Sequence, residues 1–340
     1  MRRYILRRLL IAIPILFGVS IVTFTFANLA PGDPISALIR PGVVLRSNDV
    51  AALKKELGLD RPWVDRYLAW IGLQPVVAAV TGATPVSGVL EGNLGVSFVT
   101  SRPVSNTLAE RVPNTLKLMG TALIISLLLG IMLGIFSAFR QGSKLDNVLT
   151  ALVFAGISLP SYLIALLVVV AFAVVPYAIT GIKFFPATGI QDPVSTAPPI
   201  LDFLYHLILP AAVLAFGGTA TFLRYTRASV LEVMRQDHVT TARSKGLQER
   251  SVRFRHILRN ALLPVVTVLG LSLPSLITGA LFVERVFVWP GIGSLAIEST
   301  LLHDYPVLMG IGLLISFTII LANLATDIAY AFVDTRIRYS

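Results

Sequence analysis

The 340 residues carry 28 Lys and Arg against 18 Asp and Glu, a formal net charge of +10, yet only 14% are charged and 55% are hydrophobic, with mean hydropathy +0.80. An ordinary soluble domain is about 25% charged, so water is not the main solvent of this chain, and the basic excess flanks apolar runs instead of forming one nucleic-acid-binding face. The absence of cysteine excludes a disulfide framework, a thiolate metal site and a cysteine nucleophile.

A bilayer crossing needs about 20 predominantly apolar residues, because each helical residue rises only about 1.5 Å. The chain opens with a basic stretch, Met1 to Arg8, followed by an uncharged run over 9–30. That run is too long for the apolar part of a signal peptide and leads to no small-residue cleavage pattern, which predicts a retained first span. In the segment 31–114, Asn48 is placed to cap a helix through 51–57 that stops at Gly58, and Pro62 to start a second carrying Trp63, Tyr67 and Trp70. These two are expected on the outer membrane surface. The apolar stretch 75–90 contains Pro75, Gly82, Pro85 and Gly88, which argues against a further span there.

Uncharged runs at 118–139, 147–182, 207–223, 260–283 and 305–326 complete a set of six. The third is too long for one span and too short for two with a turn, so a helix near 148–175, bent at Pro160, is expected. Gly130 and Gly134 form a small-xxx-small pair that lets another backbone approach closely, for packing inside the chain or, as the alternative, for a subunit interface. Pro160, Pro210 and Pro274 each release a backbone carbonyl that must find a partner in the protein or in a water-filled cavity.

Six spans put both termini on one side. With the termini inside, the inner segments hold 17 of the 28 basic residues, and the two short outer loops hold only Lys183 and Arg285. The positive-inside rule therefore predicts cytoplasmic termini. The fold class is an all-α integral membrane protein with six transmembrane helices, divided into 1–30 (first span), 31–114 (long extracytoplasmic segment) and 115–340 (core with spans two to six).

The most informative stretch is the loop 225–262 between spans four and five. It reads as a helical run around Asp237, Thr240, Thr241, Ala242 and Arg243, a break at Lys245-Gly246-Leu247, and a second helical run delivered to the membrane at Pro264. Ala242 and the two threonines before it predict a flat, small-residue surface beside charges, suited to docking of another rigid domain. A basic loop that only fixes orientation is the competing reading.

At these residues a family resemblance enters. Thr-Thr-Ala-Arg-Ser-Lys-Gly, followed by Leu-Arg-Asn-Ala-Leu-Leu-Pro, resembles the coupling loop of bacterial ABC-importer permeases, with Thr240 where the wider pattern has Glu and a longer distance from Gly246 to Pro264. Both departures are similar to the branch carrying dipeptides, oligopeptides and nickel. The likeness extends through Pro31-Gly-Asp-Pro34, Glu56-Leu-Gly-Leu-Asp-Arg-Pro62, Gly92-Asn-Leu-Gly-Val-Ser97, Ser158-Leu-Pro160, Val283 to Gly293, Asp304-Tyr-Pro306 and Asn323 to Tyr330. It is to the first of the two permease subunits in dipeptide and oligopeptide systems.

The resemblance implies a type I importer permease fold in a bacterial plasma membrane, multi-pass. It implies half of a translocation pathway, with a second homologous permease, two cytoplasmic ABC ATPases, an extracytoplasmic solute-binding protein, membrane lipid and a peptide substrate as partners, and no nucleic acid. The chain has no Gly-x-x-x-x-Gly-Lys-Ser/Thr loop, so ATP and Mg are expected on the partner ATPases and no cofactor on this chain. His206, His238, His256 and His303 are scattered, which argues against a metal site, and no spacing argues for a catalytic group. Glu284 and Arg285 are assigned to an outer gate or the binding-protein contact. Asn323 and Asp327 share a helical face, and Asp327, an ionisable group within a span, is read as a polar contact with a neighbouring helix. An autonomous secondary transporter or a peptide-sensing membrane protein is the alternative class.

Overall fold

The computed structural model describes residues 2–29, 60–73 and 87–333. The helix expected over 51–57, most of the stretch 75–90 and the chain end from Asp334 lie outside the described residues. Among the described residues the only extended pairing is an isolated bridge between Val96 and Pro103. Everything else regular is helical: α1 (Arg2–Leu29), α2 (Trp63–Ile71), α3 (Val104–Phe139), α4 (Lys144–Ser158), α5 (Ser161–Thr180), α6 (Pro199–Met234), α7 (Asp237–Ser244), α8 (Glu249–Val286, interrupted), α9 (Ile292–Leu301) and α10 (Tyr305–Val333). Six of these, α1, α3, α5, α6, α8 and α10, are long and apolar enough to cross a membrane.

The third span departs from its expected bounds. Instead of one helix bent at Pro160, the chain forms α4, an extended Leu159 (ψ 133°) and a new helix starting after Pro160. Proline lacks the amide hydrogen a continuing helix needs and forces its predecessor out of the helical region, so the run is cut there. Ser143 accepts the Asp146 amide at 3.2 Å and starts α4 as its N-cap. The membrane-length element is therefore Ser161–Thr180, which includes a π-turn over Val170–Val174.

Two compact units divide the chain, Met1–Pro113 with Ser294–Ile320, and Asn114–Gly293 with Leu321–Ser340. In the first, α2 begins after Pro62 as expected and turns Tyr67 and Ile71 inward onto α1. The Tyr67 hydroxyl meets Ser20 Oγ at 2.7 Å, and Phe24 sits among Trp63, Tyr67 and Trp70 with ring centroids 5.4–5.8 Å apart. Aromatic contacts of this kind add about 0.5–1.5 kcal/mol each beyond burial. Two motifs far apart in sequence also meet in this unit. Asp304 accepts Ser97 Oγ at 2.5 Å and the Phe98 amide at 3.1 Å, joining Gly92-Asn-Leu-Gly-Val-Ser97 to Asp304-Tyr-Pro306.

In the second unit the centre is α6, which packs on α4, α5 and α8. Gly130 and Gly134 face α6 within the same chain: a Cβ on Gly134 would lie 2.6 Å from Thr226 Cβ and 2.9 Å from the Leu223 carbonyl oxygen. Of the two readings of the glycine pair, intrachain packing is the one realised. Close packing leaves little room for added atoms, and overpacking costs about 1–3 kcal/mol. Gly134→Leu should therefore lower the detergent-solubilised melting temperature by several degrees, while Leu128→Ala, at an exposed position of the same helix, should move it little.

Candidate functional site

The helix α7 is eight residues long, too short to stand alone in water, and it is held by what surrounds it. Asp237 in its first turn and Arg243 in its last complement the helix dipole. At its end the Leu247 amide bonds the Ala242 carbonyl at 3.4 Å and the Gly246 amide bonds Arg243 at 2.9 Å, while Gly246 takes φ +74°. This is a Schellman stop, whose left-handed position favours glycine. Open space surrounds the Gly246 Cα, so backbone conformation and not crowding selects the residue.

Val239 and Ala242 are 0% and 5% exposed and sit in a cluster with Ala138 of α3, Val230 and Val233 of α6, and Val252, Ile257, Leu258 and Ala261 of α8. This corrects the flat-surface expectation for Ala242: spaced three residues from Val239, it lies on the inward stripe of the helix. The outward face is made by Asp237, Thr240, Thr241, Arg243, Lys245, Gly246 and Leu247, all exposed. Arg243 is tied to Glu249 by bonds of 3.2 and 3.0 Å, and Arg253 reaches the same carboxylate at 3.3 Å. The bond to Glu249 holds the Arg243 guanidinium above its ordinary value. On this exposed surface such pairs contribute at most about 1 kcal/mol, so they orient the turn more than they stabilise it.

Beyond the turn, α8 is not continuous. It passes through a π-stretch at Val252–Leu258, restarts at Leu263 with the exposed Pro264 in its first turn, breaks again at Leu273-Pro274, and reaches Gly279 at φ +72° before its last turn, Leu281–Val286. Thr326 Oγ1 of α10 donates to the Gly270 carbonyl at 3.1 Å, a close helix contact that sequence reasoning missed. Asn323 is exposed and Asp327 half-buried on the same helix.

The structure separates Glu284 from Arg285. Arg285 is exposed, whereas Glu284 is fully buried. Thr115 Oγ1 donates to Glu284 Oε1 at 3.0 Å and accepts the Ile292 amide at 2.7 Å. The Trp289 amide bonds the Glu284 carbonyl at 2.7 Å, and Trp289 Nε1 donates to the Asn114 carbonyl at 3.0 Å. A Cβ on Gly291 would fall 2.5 Å from Thr115 Oγ1 and 2.6 Å from Glu284 Cδ, and one on Gly279 2.7 Å from Glu284 Oε1. The glycines of the Trp-Pro-Gly-Ile-Gly stretch are thus the walls of a carboxylate cage, and Val288, just before the stretch, takes the costly φ of +50°. A carboxylate enclosed in this way packs the loop against the Asn114-Thr115 turn of α3 and is not itself presented to solvent.

Sequence reasoning also missed a polar cluster joining α3, the turn into α4 and α6. Asp146 is 2% exposed and accepts Arg227 Nε at 2.8 Å, Arg227 Nη2 at 2.9 Å, the Gly142 amide at 2.9 Å and the Ser137 hydroxyl. Arg227, with those donors, holds the carboxyl well below the usual carboxylate range. Arg227 looks from the sequence like one more flanking positive charge, and only the fold reveals its partner. Among the described residues no group of His, Asp and Glu could hold a metal ion.

Removing the Glu284 side chain should leave a void and disturb Thr115. Glu284→Ala is expected to cost about 1–3 kcal/mol, read as a lower melting temperature, with Glu284→Gln losing clearly less. Equal losses for the two would remove the carboxylate cage as the cause.

Residues 130–339 match the family described as "Binding-protein-dependent transport system inner membrane component", and residues 1–119 match its N-terminal companion, "Binding-prot-dependent transport system membrane comp, N-term". The chain is 42% identical over 339 residues to a putative peptide permease protein of Brucella suis, with 99% of each covered. It is 38% identical to the oligopeptide transport system permease protein AppB of Bacillus subtilis over 340 residues, all of both chains. To the dipeptide transport system permease protein DppB of Escherichia coli it is 36% identical, over 100% of this chain and 99% of that one. An inward-facing structure of the MetNI methionine ABC transporter shares the fold, with TM-score 0.52 at 16% identity over 67% of this chain and 96% of that one. The chain is a multi-pass membrane protein and belongs to the family of binding-protein-dependent transport system inner membrane components.

Proposed function

We propose that the chain is one of two homologous permease subunits of an ATP-driven importer of dipeptides or oligopeptides, with both termini cytoplasmic. The peptide assignment rests on the names of relatives that match from end to end at 36–42% identity. The coupling assignment rests on one observation: a short helix whose apolar stripe is seated among α3, α6 and α8 while Thr240, Thr241, Arg243 and Lys245 face outward. That is the arrangement of a handle, fixed to the spans on one side and open to a rigid partner on the other.

In this reading α7 inserts into a cytoplasmic ABC ATPase that carries ATP and Mg, and the second permease occupies the other half of the pathway. An extracytoplasmic solute-binding protein delivers the peptide. When nucleotide draws the ATPases together, α7 moves with its seat, and α8 transmits the displacement toward the outer end, its interruptions near Pro264, Pro274 and Gly279 serving as hinges. Arg285, exposed past the last hinge, is assigned in this reading to the binding-protein contact, with Glu284 holding its loop in shape. Asp327, with Asn323 one turn before it, serves as a polar contact near the inner end of the sixth span.

An affinity-tagged chain should copurify with a homologous permease and ABC ATPases, and an autonomous transporter or sensor would come out alone. Thr240→Arg, on the outward face, should leave insertion and melting temperature unchanged yet abolish ATP-dependent uptake of labelled di- and tripeptides. Gly246→Pro, which cannot adopt φ +74°, should abolish uptake as well. Normal uptake by Thr240→Arg in the assembled complex would sink the handle assignment.

A further inference from the structure

The Asp146 cluster joins three elements at the place where α7 is seated. Ser137 lies on α3, Asp146 and Gly142 on the turn into α4 and its first residues, and Arg227 on α6. Arg227 grips both carboxylate oxygens and its Nε also donates to Ser137 Oγ at 3.1 Å, so a single guanidinium bridges all three. Bidentate guanidinium–carboxylate bonding fixes angle as well as distance.

The neighbours of these residues build the seat of α7. Ala138, next to Ser137, and Val230, one turn past Arg227, both belong to the apolar cluster that buries Val239 and Ala242. A buried ion pair is poor evidence of stability, because well-packed apolar residues of the same volume often do as well. What it supplies is a single register. An apolar seat alone lets helices slide over one another by small amounts, whereas a four-donor carboxylate tolerates no such slip.

We propose that Asp146 is a positioning residue of the transport cycle: with Arg227 and Ser137 it locks α3, the turn into α4 and α6 into one frame, so that displacement of α7 moves these helices together. The proposal rests on the permease reading above and adds to it the residue that makes the seat stiff. Loss of the lock should leave α7 able to engage an ATPase and permit hydrolysis while the spans follow incompletely. The signature is uncoupling: hydrolysis persists, import falls.

The experiment uses the assembled transporter in proteoliposomes with its binding protein, reading ATP hydrolysed per labelled di- or tripeptide imported. Wild type, Asp146→Asn, Arg227→Lys and Ser137→Ala are compared at equal amounts of assembled complex. Allosteric coupling free energies typically correspond to about 5- to 150-fold effects, and on that scale Asp146→Asn should raise the ratio about fivefold or more. Arg227→Lys keeps the charge but loses one of the paired bonds and should fall between; Ser137→Ala keeps the ion pair and should shift the ratio least. If hydrolysis and import decline in parallel, with a ratio within about twofold of wild type in all three, the cluster is merely structural and the proposal is overturned. Should Asp146→Asn fail to assemble, Arg227→Lys and Ser137→Ala decide by the same ratio. A wild-type complex with no ATP-dependent uptake would instead refute the permease reading, a different result from a coupled wild type with coupled variants.

Discussion

Hydrocarbon offers no hydrogen bonds, and most of this structure follows from that deficiency. An unsatisfied backbone amide or carbonyl costs several kcal/mol in a bilayer, so each crossing must be helical wherever lipid can reach it. The apolar runs nevertheless contain interruptions. They fall at Leu159-Pro160, at Leu273-Pro274 and at Gly279, where proline removes a donor or glycine permits a reversed backbone. The cage around Glu284 is the extreme case. There Thr115 donates to a carboxylate enclosed at the end of a span, and three glycines allow neighbouring backbone to close in.

The same constraint separates what the sequence makes legible from what it conceals. Long uncharged runs are legible because length and apolarity are all that a span requires, and all six were locatable on that ground. The break at Pro160 shows the limit: apolarity continues through residues 147–182, and only the missing donor of one proline decides between a bent helix and two separate ones. Ala242 shows a second limit. Small size at that position suits an exposed docking face and a buried seat equally, and eight residues of α7 give too few turns for periodicity to choose.

The Asp146–Arg227 pair was illegible for a different reason. Its partners lie 81 residues apart, and each has a plausible local explanation, Asp146 as first-turn acid and Arg227 as a charge beside a span. Pairing across that distance is a property of packing, here the approach of α3 and α4 to α6 permitted by Gly130, Gly134 and Gly156. Thr326 escaped notice likewise, because a threonine within a span usually bonds back to its own helix. This one does so, to Ala322 at 2.7 Å, and also reaches the Gly270 carbonyl.

The bonds from Ser97 and Phe98 to Asp304 set an order of events in biosynthesis. The amino-terminal part of the chain leaves the ribosome with its acceptor still more than two hundred residues from being translated. Until the last span emerges, the Ser97 hydroxyl and the Phe98 amide have no Asp304 to bond, and closing so long a loop carries an entropy cost that grows only slowly with its length. This contact of the first unit is therefore made late in synthesis. Chains truncated before residue 304 would leave the Ser97 hydroxyl and the Phe98 amide without this acceptor.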